Sequence, residues 1–204
     1  MAGKRAINAK ELLGKSFEVL DFDGAWLGLI GKPEVKGSWI IWGQSGNGKT
    51  RFALQLAKYL ARFGKVLYDS REEGVSESLR RAVLEESLAE VGNQFQIIDE
   101  GYRELIERLE RHKSPKFVII DSLQYMNISY RQYQALKARF GRKLFVWISH
   151  ADGRDPLGPT AKKVRYDANV KIRIEGFKAF AQSRYGGGEP YEIWPEKARE
   201  VWVE

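Results

Sequence analysis

The sequence predicts an α/β fold, a mainly parallel central sheet flanked by helices with antiparallel strands added at its C-terminal end. Three observations carry this expectation. A strand-like run, Ser38–Trp42, enters a glycine loop, and beyond it Phe52, Leu56, Tyr59, Leu60 and Phe63 recur at helical spacing. Short apolar runs then alternate with single helical patterns as far as Ser149. Strands that are apolar on both faces and separated by single helices belong to parallel sheets. After residue 165 short strands follow one another across Gly- and Pro-containing turns without helices between them, as in an antiparallel extension.

In chain order, a short helical pattern spans Ala9–Leu13, followed by an apolar run at Phe17–Leu20 and a glycine-rich approach through Gly24, Gly28, Gly31 and Gly37. Lys65–Asp69 reads as a buried strand, and Glu77–Glu90 as a helix with Ser76 at its N-cap. Phe95–Ile98 is a short strand, and Tyr102–His112 a helix with Leu105 and Leu109 on one face. Phe117–Asp121 and Leu144–Ser149 read as strands, with a helix over Tyr130–Phe140 between them. Val170–Ile174, Ala179–Ser183, Tyr191–Trp194 and Val201–Val203 read as the late short strands. No stretch has the length of a linker, so residues 1–204 are expected to form one domain with 1–37 as a lead-in.

Composition narrows the function. The chain has 204 residues, 43% of them hydrophobic, enough for one filled core. No apolar run approaches the ~18 residues of a membrane span, and the N-terminus lacks a secretory apolar stretch, so a cytoplasmic location is expected. Cysteine is absent, which excludes disulfides, thiolate metal sites and cysteine nucleophiles. The two histidines, His112 and His150, are too few for a histidine-rich metal centre. A net charge of +7, from 34 basic and 27 acidic residues, favours a polyanionic partner, and Lys162, Lys163 and Arg165 cluster.

The chemistry is concentrated in Gly43-Gln44-Ser45-Gly46-Asn47-Gly48-Lys49-Thr50, a complete phosphate-binding loop, with Arg51 directly after it. Glycines let backbone N–H groups curl around phosphate, Lys49 reaches the β- and γ-phosphates, and the Thr50 hydroxyl suits a magnesium ion. The following helix adds its positive end to the same anion site. Asp121 ends a strand after four apolar residues, where a carboxylate can hold the metal of a magnesium–nucleotide complex. Ser70-Arg71-Glu72-Glu73 stands at another strand's C-terminal end, where ligands of open α/β sheets bind. One of its carboxylates is the expected group to orient or deprotonate an attacking water, Glu72 ahead of Glu73.

These residues resemble the RecA-type ATPase core, most closely its RadA and DnaB branch, from about residue 22 onward. Besides the phosphate loop, Val66–Glu73 resembles the strand motif ending in the catalytic glutamate, which points to Glu72. Val118–Gln124 resembles the metal-aspartate motif. Trp147–Gly153 with Gly158-Pro159 resembles the sensor strand and its loop, and Ala181–Gly186 the Lys-Asn-Arg-Phe-Gly element that reaches a neighbouring subunit's site. The resemblance implies ATP and Mg2+ as cofactors, His150 as γ-phosphate sensor, and Arg184 as an arginine finger acting in trans within a homo-oligomer, ring or filament. It implies single-stranded DNA as partner, in recombination, repair or replication. The two DNA-facing loops would be Ala151–Arg165, with Arg154, Lys162, Lys163 and Arg165, and Asn127–Tyr133, with Tyr130, Arg131 and Tyr133. Basic side chains beside aromatic rings suit a single strand.

Two residues depart from that pattern. His150 stands where the DnaB branch has glutamine, although the RadA branch has histidine too. Gln182 stands where a lysine is usual. The resemblance covers only the core; the zinc-binding segment and protease-like domain of RadA proteins and the N-terminal domain of DnaB proteins have no counterpart in it. A P-loop kinase is a competing class, but it needs an arginine-bearing lid and an acceptor pocket, and neither is apparent. A nucleotide-locked scaffold, loader or strand-annealing protein is the third, favoured by Gln182.

Overall fold

The structure, a computed structural model, describes residues 5–202. The chain runs α1 (Ala9–Leu13), α2 (Gly24–Ile30), β1 (Gly37–Gly43), α3 (Lys49–Leu60), β2 (Val66–Ser70) and α4 (Glu77–Glu85). A 3₁₀ segment (Leu88–Gln94) leads to β3 (Phe95–Ile98), α5 (Tyr102–Glu110), β4 (Phe117–Asp121), α6 (Leu123–Met126) and α7 (Tyr130–Arg139). The last third comprises β5 (Leu144–Asp152), β6 (Asp155–Pro156), α8 (Pro159–Asp167), β7 (Val170–Glu175), β8 (Lys178–Ser183), β9 (Tyr191–Glu192) and α9 (Pro195–Val201).

The strand order is β3-β2-β4-β5-β1-β7-β8-β9, with β6 paired to β5 alone. Strands β1, β2, β3, β4, β5 and β7 are mutually parallel, whereas β8, β9 and the short β6 pair antiparallel. The apolar runs explain the layering. In Phe117–Asp121 alternate residues enter opposite cores, Phe117 and Ile119 one, Val118 and Ile120 the other. One core receives α2 and α3 through Trp26, Leu29, Phe52, Leu56 and Leu60. The other receives α5, α7 and α8 through Leu105, Leu109, Tyr133, Leu136 and Val164.

Four local expectations are corrected. The glycine-rich approach contains a helix, α2, because Trp26 stacks between Tyr59 and Tyr191 at centroid distances of 5.2 and 4.7 Å, burial that outweighs weak glycine propensity. The helix expected over Glu77–Glu90 stops at Glu85, although Ser76 caps it as expected, its side chain accepting from the Leu79 amide. The expected strand at Val201–Val203 is instead the end of α9 at Val201, with Val203 outside the described residues. The expected loop Ala151–Arg165 is a β5–β6 hairpin followed by α8, which starts at Pro159 where a missing N–H costs nothing. Lys162, Lys163 and Arg165 therefore sit on a helix. Among the described residues no helix is long and apolar enough to cross a membrane.

Asp69, next to last in β2, has no accessible surface, accepting from the Glu100 amide at 3.0 Å through Oδ1 while Oδ2 has no partner. Burial raises its pKa from 3.8 to about 7. Between those values the folded chain holds a proton that the unfolded chain has lost, so stability falls as pH rises through the window. Asp69→Asn abolishes that slope. Urea unfolding is expected to show the variant gaining about 3 kcal/mol on the parent between about pH 5 and pH 8.

Candidate nucleotide site

All the parallel strands end at one edge of the sheet, and that edge carries the site. Gly43 pairs with His150 across β1 and β5, and Ser70 with Asp121 across β2 and β4. At Gly43 a Cβ would lie 2.4 Å from the Ile174 carbonyl oxygen on β7, so only glycine lets β1 and β7 approach there. The loop then turns through Gly46 and Gly48 at φ of 77° and 93°, left-handed values that favour glycine. Those turns deliver the chain into α3 at Lys49. Asn47 fastens the loop from outside, its Oδ1 accepting from the Gly176 amide at 2.8 Å.

Four charged groups converge on this loop. Asp121 is almost wholly buried and accepts a hydrogen bond from the Tyr68 hydroxyl. Burial pushes its pKa up to about 6, with Tyr68 opposing and the Glu72 charge reinforcing the rise. Lys49 Nζ donates to the Gln44 carbonyl at 3.0 Å; burial lowers its pKa while Glu72 and Asp121 hold its charge. The turn bearing Glu72 is anchored where its amide donates to the Asp121 carbonyl at 2.9 Å, and the Glu72 carboxylate lies 3.2 Å from His150 Nε2. Glu73 instead accepts from the Ser78 hydroxyl at 2.5 Å, within the N-terminal turn of α4. The peptide bond between Asp121 and Ser122 is cis.

Gln124 organises the end of β5. Its Nε2 donates to Ser149 Oγ at 2.9 Å and to the Leu157 carbonyl at 2.8 Å, while its Oε1 accepts from the His150 amide at 3.2 Å.

A cavity of about 350 Å³ joins these groups, lined by Ser45, Gly46, Lys49, Thr50, Glu72 and Asp121. The fit to a magnesium–nucleotide complex is good. The glycine turns leave a cradle for phosphate, and a hydroxyl with a carboxylate offers the hard oxygen donors magnesium takes. The far wall adds Phe177 and Trp194, which sequence reasoning missed. The Arg51 guanidinium stacks over Trp194 at 4.1 Å and pairs with Glu86 at 2.5 Å. Rings beside a phosphate loop offer a planar base a stacking surface. A larger cavity, about 920 Å³, opens elsewhere among Lys36, Lys116, Arg139 and Lys143. There Lys116 pairs with Glu18, Arg139 with Glu110, and Lys143 donates to Ser114 and Pro115 oxygens, and no phosphate loop lines it.

The remaining expected site residues do not line this cavity. Arg184 follows β8, whose last residue Ser183 pairs with Val170 at the start of β7, whereas Gly43 pairs with Ile174 near its end. Arg184 thus stands at the opposite edge from its own phosphate loop, roughly 13 Å or more away along the strand direction. Arg154 and Arg165 enter one cleft with Lys171 and Arg173. Lys162 lies 3.8 Å from Asp152, and Lys163 lies over the Tyr130 ring at 5.7 Å, next to Arg131 on α7. Tyr133 is corrected from a DNA-facing ring to a core residue, buried with its hydroxyl donating to Ser38 Oγ at 2.9 Å.

Trp194→Ala is expected to weaken ATP binding about 5-fold or more while leaving tripolyphosphate binding unchanged, as competition against a fluorescent nucleotide would read.

Comparisons with known proteins agree with this geometry. The model of the AAA domain family matches residues 33–149. The chain is 36% identical over 97 residues to the DNA repair protein RadA of Streptococcus pyogenes serotype M3 and 33% identical over 97 residues to that of Streptococcus pneumoniae. The first alignment takes in 47% of this chain and 21% of the relative, so the chain spans about a fifth of the length of the curated relatives it matches. Among solved structures, a KaiC-like protein from Pyrococcus horikoshii OT3 superposes with a TM-score of 0.57 at 17% identity, over 78% of this chain and 85% of that one. The flagellar accessory protein FlaH from Methanocaldococcus jannaschii gives 0.57 at 15%, over 87% and 92%. The chain belongs to the AAA domain family, with the fold of RecA-like P-loop ATPase cores and a partial sequence similarity to RadA.

Proposed function

We propose that the chain hydrolyses ATP with magnesium, as part of a homo-oligomer acting on single-stranded DNA in recombination, repair or replication. The observation that carries the reading is the placing of Glu72 beside His150, on the edge shared with Lys49, Thr50 and Asp121. In this reading Lys49 and the amides of Gly43–Thr50 hold the phosphates, and Thr50 and Asp121 hold the metal, which supplies charge neutralisation at the transferring phosphoryl group. Glu72 orients water and accepts its proton, a role open to it because Glu73 is engaged by Ser78. His150 Nε2, already beside Glu72, reports the state of the γ-phosphate. Arg184 works on a neighbour's nucleotide, a role supported by its distance from its own loop. The names of the RadA relatives support the DNA repair context.

Glu72→Gln is expected to keep ATP bound while slowing hydrolysis about 10²–10⁴-fold, with Glu73→Gln far milder. Equal loss in both variants, or in Glu73→Gln alone, would reject the assignment of the base. Assembly is tested by mixing. Arg184→Ala and Lys49→Ala chains, each inactive, should together recover turnover at interfaces that combine an intact loop with an intact finger. Wild-type turnover in Arg184→Ala alone rejects the trans role.

A further inference from the structure

On the face of the sheet that carries α8, Trp202 after α9 covers one side of Phe180, ring centroids 5.8 Å apart, and α8 itself stops at β1. Beyond it, Lys171 and Arg173 on β7 and Phe180 on β8 are half-buried, and Gln182 is exposed. Strand register sets Lys171 directly opposite Gln182 and Arg173 opposite Phe180. Arg165 from α8 and Arg154 from the β5–β6 turn form the other wall, over Trp42, and enclose a cleft of about 480 Å³. Arg165 stacks on Trp42 at 5.1 Å and pairs with Asp155; Arg173 stacks on Phe180 at 5.4 Å and pairs with Glu175. Among the described residues, no carboxylate lies within ion-pair distance of Arg154 or Lys171. Trp42 fixes the turn, its Nε1 donating to the Arg154 carbonyl at 3.0 Å.

We propose that this cleft seats the single-stranded nucleic acid, with Arg154 and Lys171 as primary phosphate contacts, Arg165 and Arg173 supporting them, and Phe180 presenting its ring to a base. The proposal rests on the polymer part of the proposed function and shifts its centre to β7 and β8. Charge complementarity favours this occupant, since among the described residues the four cations are paired with just two carboxylates, Asp155 and Glu175. The aromatic ring between cations favours a single strand, whose unpaired bases can stack, over a duplex. Lys171 and Arg173 carry side chains on the face opposite Val170, Ile172 and Ile174, so their replacement leaves the buried face of β7 intact.

The test is binding of a labelled oligothymidylate to the full chain with a non-hydrolysable ATP analogue, across a salt series. Lys171→Ala/Arg173→Ala should weaken binding about tenfold or more and reduce the slope of log affinity against log salt by about 1.4, as for two lost single-strand phosphate contacts. Phe180→Ala should weaken binding about 5-fold or more with the slope unchanged. The charge-matched pair Arg111→Ala/Lys113→Ala, on the exposed loop after α5, should alter neither. Retained ATP affinity certifies folding of each variant. Tight wild-type binding with unchanged affinity and slope in Lys171→Ala/Arg173→Ala overturns the cleft and leaves the broader reading standing. Absence of binding by the wild type overturns both. Normal DNA binding with lost nucleotide-dependent self-association in sedimentation assigns the cleft to a second copy's phosphates, and overturns it as a nucleic-acid seat.

Discussion

A parallel sheet buried on both faces can present its functional groups together in only one place, the edge where its strands all end. Everything in the nucleotide site follows from that constraint. With β5 between β1 and β4, Asp121 is one strand removed from the phosphate loop, and the gap is filled by the end of β5 with His150. Strand β2 then brings Glu72 back over that gap, where its amide is fixed to the Asp121 carbonyl. Neither residue is close to the loop in sequence. Parallel register alone makes them neighbours.

Burial works against both charges at the site. Asp121 is buried enough that its carboxyl titrates near 6, and Lys49 is desolvated enough that its ammonium is weakened. Lys49 and Asp121 each help to keep the other's charge, while Glu72 supports the lysine and opposes the aspartate, so the groups form one coupled cluster. The cluster resembles a structure waiting for a counter-charge: phosphate would relieve the lysine, and a divalent cation the aspartate. Such tension is the ordinary signature of a binding edge, whereas the ion pairs on the outer helix faces, such as Arg80 with Glu77, are exposed and contribute little.

The buried strands and the phosphate loop were legible because their signals are local. Phe117–Asp121 is apolar on both faces, and Gly43–Thr50 has fixed spacing. Helix α2 was hidden because its evidence is tertiary: Trp26 gains its place only from Tyr59 and Tyr191, both far along the chain. Helix α8 had visible clues, Gly158-Pro159 at its start and Ala161, Val164 and Ala168 at helical spacing, which a loop assignment drawn from resemblance overrode. Tyr133 shows the same limit from the other side. Its ring next to basic residues looked like a stacking platform, yet packing on Trp147 and the hydrogen bond to Ser38 place it in the core. Phe177 and Trp194 could not be foreseen, since no local pattern indicates which late aromatic will fold back over an early loop.

Three hydrogen bonds make the arrangement mechanical as well as chemical. The Gln124 amide grips both the His150 backbone and the Leu157 carbonyl, and the Trp42 indole, one residue before the phosphate loop, holds the Arg154 carbonyl. The segment bearing the cations is thereby riveted at two points to the edge that would feel a phosphate. One glutamine side chain therefore ties the strand end that carries His150 to the segment that leads into α8, so the two share a single point of attachment.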